Sequence, residues 1–123
     1  MSKIIINSLL KSSMEEEQLS NYVAILKDNK IYFNKDDINS IITLKNDKVI
    51  IERKCKEYDS LLEFEEGKQI DGKYFVKDIK LYIKISVKTK KLIIKENSIL
   101  LKYTVYIDNI KSDDFVYEIK WRC

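Results

Sequence analysis

Between Ile79 and Ile107 apolar and polar residues alternate more regularly than anywhere else in the chain. Leu81, Ile83, Ile85 and Val87 fall on one side, with Lys80, Tyr82, Lys84, Ser86 and Lys88 on the other. A period of two marks a half-buried strand, because successive side chains leave a pleated backbone on opposite faces. After a polar turn at Glu96-Asn97-Ser98 the pattern resumes, with Leu101, Tyr103, Val105 and Ile107 against Lys102, Thr104 and Tyr106. Two long alternating runs joined by such a turn predict an antiparallel hairpin.

The rest of the chain reads as shorter versions of the same unit. Residues 3–12 carry large apolar side chains on both faces, which suits a strand covered on both sides. Ser13 with a glutamate three residues on has capping-box spacing, but no amphipathic run follows. Residues 13–18 therefore read as an acidic hairpin connection rather than a helix. Further strands are predicted at 21–27, 31–33, 41–44, 49–53 and 61–65, with turns at Asp28-Asn29-Lys30, residues 45–48 and Gly67. A strand over 68–76 is broken near Asp71-Gly72, where a glycine in a strand pattern implies a bulge or bend. The last strand, Phe115 to Trp121, places Phe115, Tyr117, Ile119 and Trp121 on one face.

Strands at this spacing with no helix-length amphipathic segment predict an all-β domain. A meander closes most simply as a single antiparallel up-and-down β-barrel, since closure removes exposed edges. Roughly eight to ten strands over residues 1–123 are expected, with a β-sandwich as the alternative. Ile31, Phe33, Leu62, Phe64, Leu81, Ile83, Ile85, Val87, Leu101, Tyr103, Val105, Phe115, Tyr117 and Ile119 are expected inside. The bulk of these residues predicts a mostly filled interior, with any cavity confined to one end.

Composition adjusts this picture little. The 123 residues suit one domain, and a hydrophobic share of 45% suffices for a core. There is no proline and there are two glycines. Asparagine and aspartate must therefore make the tight turns, since they tolerate positive φ better than most residues. Net charge is +3, from 23 basic and 20 acidic residues. Only Arg53 and Arg122 are arginines, the side chain that bidentate phosphate and base-edge recognition favours. Cys55 and Cys123 are expected to be reduced thiols. No apolar run approaches a signal-peptide core or the ~20 residues of a membrane span. A cytoplasmic protein with no membrane partner is the expectation.

The sequence offers no catalytic residues. Without histidine there is no Ser-His or Cys-His nucleophile and no imidazole metal ligand. Two glycines cannot build a phosphate-binding loop, so no cofactor is expected. Glu15-Glu16-Glu17 reads as a solvated turn, and Asp36/Asp37 and Asp113/Asp114 as hydrated neighbours. Two binding readings remain. Lys80, Tyr82, Lys84 and Lys88 form a basic outer face with an aromatic residue in it, the combination single-stranded nucleic-acid binders use. Outward lysines also keep strands soluble, and the slight net charge favours that plainer role. Tyr103 and Tyr117 point inward among aliphatics, where each hydroxyl needs a partner. They mark either satisfied core positions or the wall of a pocket for a small apolar ligand.

The order Ile4-Ile5-Ile6-Asn7-Ser8, Asn29-Lys30-Ile31-Tyr32-Phe33, Ile42-Thr43-Leu44 and Val49-Ile50-Ile51-Glu52-Arg53 resembles the YwiB-like family of small bacterial proteins. The likeness continues through Leu62-Glu63-Phe64, Gly67, Tyr74, residues 81–89 and 99–103, and so covers most of the chain. Each motif is ordinary strand chemistry, and order and spacing carry the resemblance. Lys54-Cys55-Lys56 stands where the family usually has a glycine after the arginine. The resemblance implies a calycin-like, lipocalin-like barrel of unknown function, with no catalytic motif. A non-catalytic binding module for a small apolar or amphipathic molecule is the expectation. The alternative is a protein- or RNA-interaction module that uses the outer lysine–tyrosine face.

Overall fold

A computed structural model describes residues 1–123 and contains strands and turns only. The strands are β1 (Ser2–Ser12), β2 (Glu16–Lys27), β3 (Lys30–Lys35), β4 (Ile38–Leu44), β5 (Lys48–Lys54) and β6 (Tyr58–Glu65). After them come β7 (Gln69–Asp71), β8 (Lys73–Val76), β9 (Leu81–Tyr82), β10 (Ile85–Lys95), β11 (Ser98–Ile107) and β12 (Ile110–Arg122). All twelve lie in one antiparallel sheet, in the order β7-β10-β11-β12-β1-β2-β3-β4-β5-β6-β8-β9. No helix is long and apolar enough to cross a membrane.

The turns show how a chain so poor in glycine makes hairpins. Asp28-Asn29, Asp36-Asp37 and Asp108-Asn109 each hold two successive residues at positive φ, between 51° and 65°. Two-residue loops of that kind match the right-handed twist of the strands they join. Asparagine and aspartate take the place that glycine usually fills. Gly67, at φ 81°, turns the chain from β6 into β7.

The sheet curls into a half-barrel rather than the closed up-and-down barrel expected from the sequence. No ladder joins β6 to β10. The segment over 68–76 breaks at Gly72, where the sequence implied a bulge or bend, but its halves go to different neighbours. β7 pairs with β10, whereas β8 pairs with β6. The Gly72 amide donates to the Ile85 carbonyl, so this corner ties the two arms of the sheet together.

The second correction concerns the run from Ile79 to Val87. It is not one strand. Lys80 adopts φ 50°, and Leu81-Tyr82 pair with β8 at the sheet's outer edge. The Ile83 amide donates to the Tyr74 carbonyl, and only from Ile85 does the chain join β11. Leu81, expected inside, is therefore exposed, and Ile83 is half-buried. Alternation was genuine on both sides of the break, but the two pieces belong to different edges.

The concave face holds a core of 19 buried apolar residues. β1 contributes Ile4, Ile6 and Leu10, while β11 and β12 contribute Ile99, Leu101, Tyr117, Ile119 and Trp121. A bulge in β2 opposite Asn7 puts Asn21 at φ 52°, its amide held by the Asn7 Oδ1. The bulge resets the alternation, so that Leu19 and Ala24 both face the core although they stand five positions apart. Small and polar side chains also lie buried: Ser8, Ser40, Ser86, Thr89 and Thr104. Ser86 and Thr104, expected on the outer face of their strands, are among them.

Candidate functional site

β5 begins with Val49 and Ile51 buried on the concave face, and Arg53 follows at the same parity. Its register partners are Ser60 on β6 and Ser40 on β4, two short side chains. A long cation flanked by serines leaves space, and a cavity of about 150 Å³ opens beside it. Arg53, Tyr58, Tyr74, Tyr103 and Tyr117 line that cavity, with Leu62 and Phe64 at its apolar end. Arg53 and Tyr117 also face a second chamber of about 60 Å³, which Glu17, Lys35 and Ser40 help to enclose.

Packing fixes the aromatic walls. Tyr58 and Tyr74 stack on each other, ring centroids 5.2 Å apart and planes 6° from parallel. Tyr103 sits between Phe64, at 4.6 Å, and Phe115, at 5.4 Å. Such pairs hold rings in place beyond what area burial alone provides. These walls are pre-formed.

A parting in the ladder lies beside the smaller chamber. β2 and β3 pair only from Ile25/Tyr32 to Lys27/Lys30, after which the strands part. The Tyr22 hydroxyl donates to the Asn34 carbonyl across the gap, and its ring meets Phe33 edge-on. Glu17 from β2 and Phe33 and Lys35 from β3 border the smaller chamber at this parting.

Arg53 has no carboxylate within 4.0 Å, for it takes part in none of the chain's ion pairs. Burial pushes the Tyr117 and Tyr103 hydroxyls well above the usual tyrosine range, and the Arg53 charge opposes that rise at both. Tyr58 is raised in the same way, again against Arg53. All three phenols therefore stay protonated near neutrality and can donate a hydrogen bond. Cation and donors converge on one space.

Of the residues singled out in the sequence, Tyr103 and Tyr117 both line this cavity. The outer residues Lys80, Tyr82, Lys84 and Lys88 are all exposed, but they are not one strand's stripe. Lys80 lies in a turn, Tyr82 in β9, Lys84 between strands and Lys88 in β10. Tyr82 leans on Phe75, with centroids 4.8 Å apart. Ser86, expected on that outer face, is buried and accepts a hydrogen bond from the Gln69 Nε2. Sequence reasoning missed Arg53, Tyr58 and Tyr74. For Arg53 a signal existed, since a charged residue continues the inward parity of Val49 and Ile51.

The paired carboxylates take other roles. Asp36 and Asp37 are the β3–β4 turn. Asp113 accepts the Ser13 hydroxyl's hydrogen bond, shared between its two carboxylate oxygens, and Asp114 accepts from Thr104 and binds Lys90 and Lys111. Those bonds, first Lys111 at Asp114 and Ser13 at Asp113, hold both carboxyls below the ordinary carboxylate range. A depressed folded value means stability that is full above the unfolded value near pH 4. It is lost as pH falls through the folded one. Urea midpoints are expected to stay level from pH 7 to 5 and to decline below about 4. Asp114→Asn should make that decline shallower, and an unchanged acid limb would show that the Asp114 pairs contribute nothing. No group of three or more Cys, Asp or Glu stands close enough to hold a metal ion.

No protein-family model and no curated protein sequence matches the chain. Among solved structures it is similar to the YwiB protein from Bacillus subtilis, with a TM-score of 0.58. The match covers 98% of this chain and 91% of that one at 13% sequence identity. The likeness is one of fold.

Proposed function

We propose that this chain is a non-catalytic binding module of calycin-like descent, which holds one small amphipathic molecule on the concave face of its half-barrel. The observation that carries the reading is the tyrosine-walled cavity beside Arg53. Apolar walls with a few convergent polar groups are the usual make-up of a ligand site. At about 150 Å³ the space is far smaller than the ~300–1,000 Å³ of a drug-sized pocket. It suits a body of about one six-membered ring, since an apolar cavity of ~150 Å³ takes up benzene. The fold likeness to YwiB supports the architecture, and the chemistry of the ligand rests on the side chains alone.

Native mass spectrometry of freshly purified protein, with and without single-ring alcohols, tests the reading. One bound molecule per chain is expected. Ser60→Leu, which fills the space beside Arg53, should reduce that occupancy at least tenfold while leaving the fold intact. No adduct in any preparation and no uptake of the added alcohols would remove the proposal.

A further inference from the structure

We infer that the molecule held in this cavity is an anion, a small aromatic carboxylate whose charged end pairs with Arg53 and whose ring lies among the tyrosines. The inference rests on the pocket reading above and adds the charge and orientation of the ligand.

Three observations point the same way. The Arg53 guanidinium borders both chambers and has no carboxylate within 4.0 Å, although the chain carries 20 acidic residues. An arginine at the inward parity of a strand normally acquires a partner, because a half-desolvated cation without one is costly. Here Ser40 and Ser60 face it in register and Tyr117 lies within its hydrogen-bonding reach, and none of the three carries charge. The ligand's own carboxylate supplies the missing partner, and the planar fork of arginine matches it bidentately.

The second observation is the row of phenols. The Tyr58, Tyr103 and Tyr117 side chains border the same space as Arg53 and their hydroxyls can donate to a carboxylate, while the Arg53 charge repels an ammonium group. The third is shape. The charged group stands at the boundary of the two chambers, whereas Leu62 and Phe64 lie at the apolar end of the larger one. A ligand with its charge at one end and a ring at the other fits that polarity. Glu17 at the smaller chamber opposes an anion, and Lys35 beside it offsets that charge. Replacing Glu17 by Gln should therefore tighten binding.

The test compares phenylacetate, 2-phenylethanol and 2-phenylethylamine, which share a ring and differ in charge. Binding is read by isothermal titration and by ¹H–¹⁵N shifts that include the Arg53 Nε–H. The acid is expected to bind at least tenfold more tightly than the alcohol, and the amine more weakly than both. Arg53→Met should abolish the preference for the acid and leave alcohol binding within about twofold. Arg53→Lys should restore part of the preference, and melting curves establish that both variants fold. Equal binding of acid and alcohol, or a preference that survives Arg53→Met, overturns this inference and leaves the pocket reading standing. No binding of any of the three overturns both.

Discussion

Phe64→Ala is expected to destabilise the protein by about 3–5 kcal/mol, the cost of removing a large aromatic side chain from a packed interior. Phe64 is fully buried on β6, opposite Val49, and its ring lies 4.6 Å from Tyr103. Tyr103 in turn stacks on Phe115. β6 therefore meets β11 and β12, with which it shares no ladder, through this row of rings. The loss combines a transfer cost, an unfilled volume and the aromatic contact with Tyr103, and it falls where no ladder joins the arms. A protein of this size has a total stability of about 5–15 kcal/mol, so the variant should sit near its unfolding threshold. Phe64→Leu keeps most of the volume and should cost about 1 kcal/mol. Urea unfolding of the two variants checks this; a Phe64→Ala loss under 1 kcal/mol would mean that the ring row does not hold the arms together.

How much of this was legible in the sequence differs by element. The long strands β10 and β11 were readable, since Val87, Leu101, Tyr103 and Val105 alternate with polar residues and do lie buried. The Asp28-Asn29 turn was readable too, because Asn and Asp tolerate positive φ, whereas the Asp108-Asn109 turn was not singled out. What failed were the places where a local pattern continues across a change of partner. Leu81 and Ile83 keep the parity of Ile85, yet a turn at Lys80 and a corner at Ile83-Lys84 separate them. Periodicity reports which faces alternate, and it is blind to which neighbour a strand pairs with.

The site was legible in part for the same reason. Tyr103 and Tyr117 announced themselves as inward tyrosines among aliphatics. Tyr58 and Tyr74 did not, because they sit at the ends of short strands and meet only through the β6–β8 register. Closure was the main misjudgement. Twelve strands could have formed a ring, but the chain spends β7 to β9 crossing from one arm to the other. Residues expected in one wall are thereby divided between two edges.

That crossing makes Gly72 the second position where one substitution should have a large effect. Its φ is ordinary, so the constraint is space. A Cβ at residue 72 would stand 2.7 Å from the Leu62 Cδ2, 2.9 Å from the Leu61 carbonyl oxygen and 3.3 Å from the Ile85 Cγ2. The leucine can rotate away, although it would move into the cavity it lines. The carbonyl belongs to the backbone of β6 and cannot yield without shifting the strand. Gly72→Ala is therefore expected to cost about 3 kcal/mol, the upper end for a side chain forced into a packed site. Two controls separate the causes. Gly67→Ala meets open space but inherits φ 81°, so it should cost only the ~1–2 kcal/mol of a left-handed residue. Leu62→Ala removes the 2.7 Å clash and leaves the carbonyl, so combining it with Gly72→Ala should cost less than the two losses added. Full additivity would show that the leucine yields freely and that the carbonyl alone sets the cost. A Gly72→Ala protein as stable as the parent would instead mean that the two arms are not tightly held together at this corner.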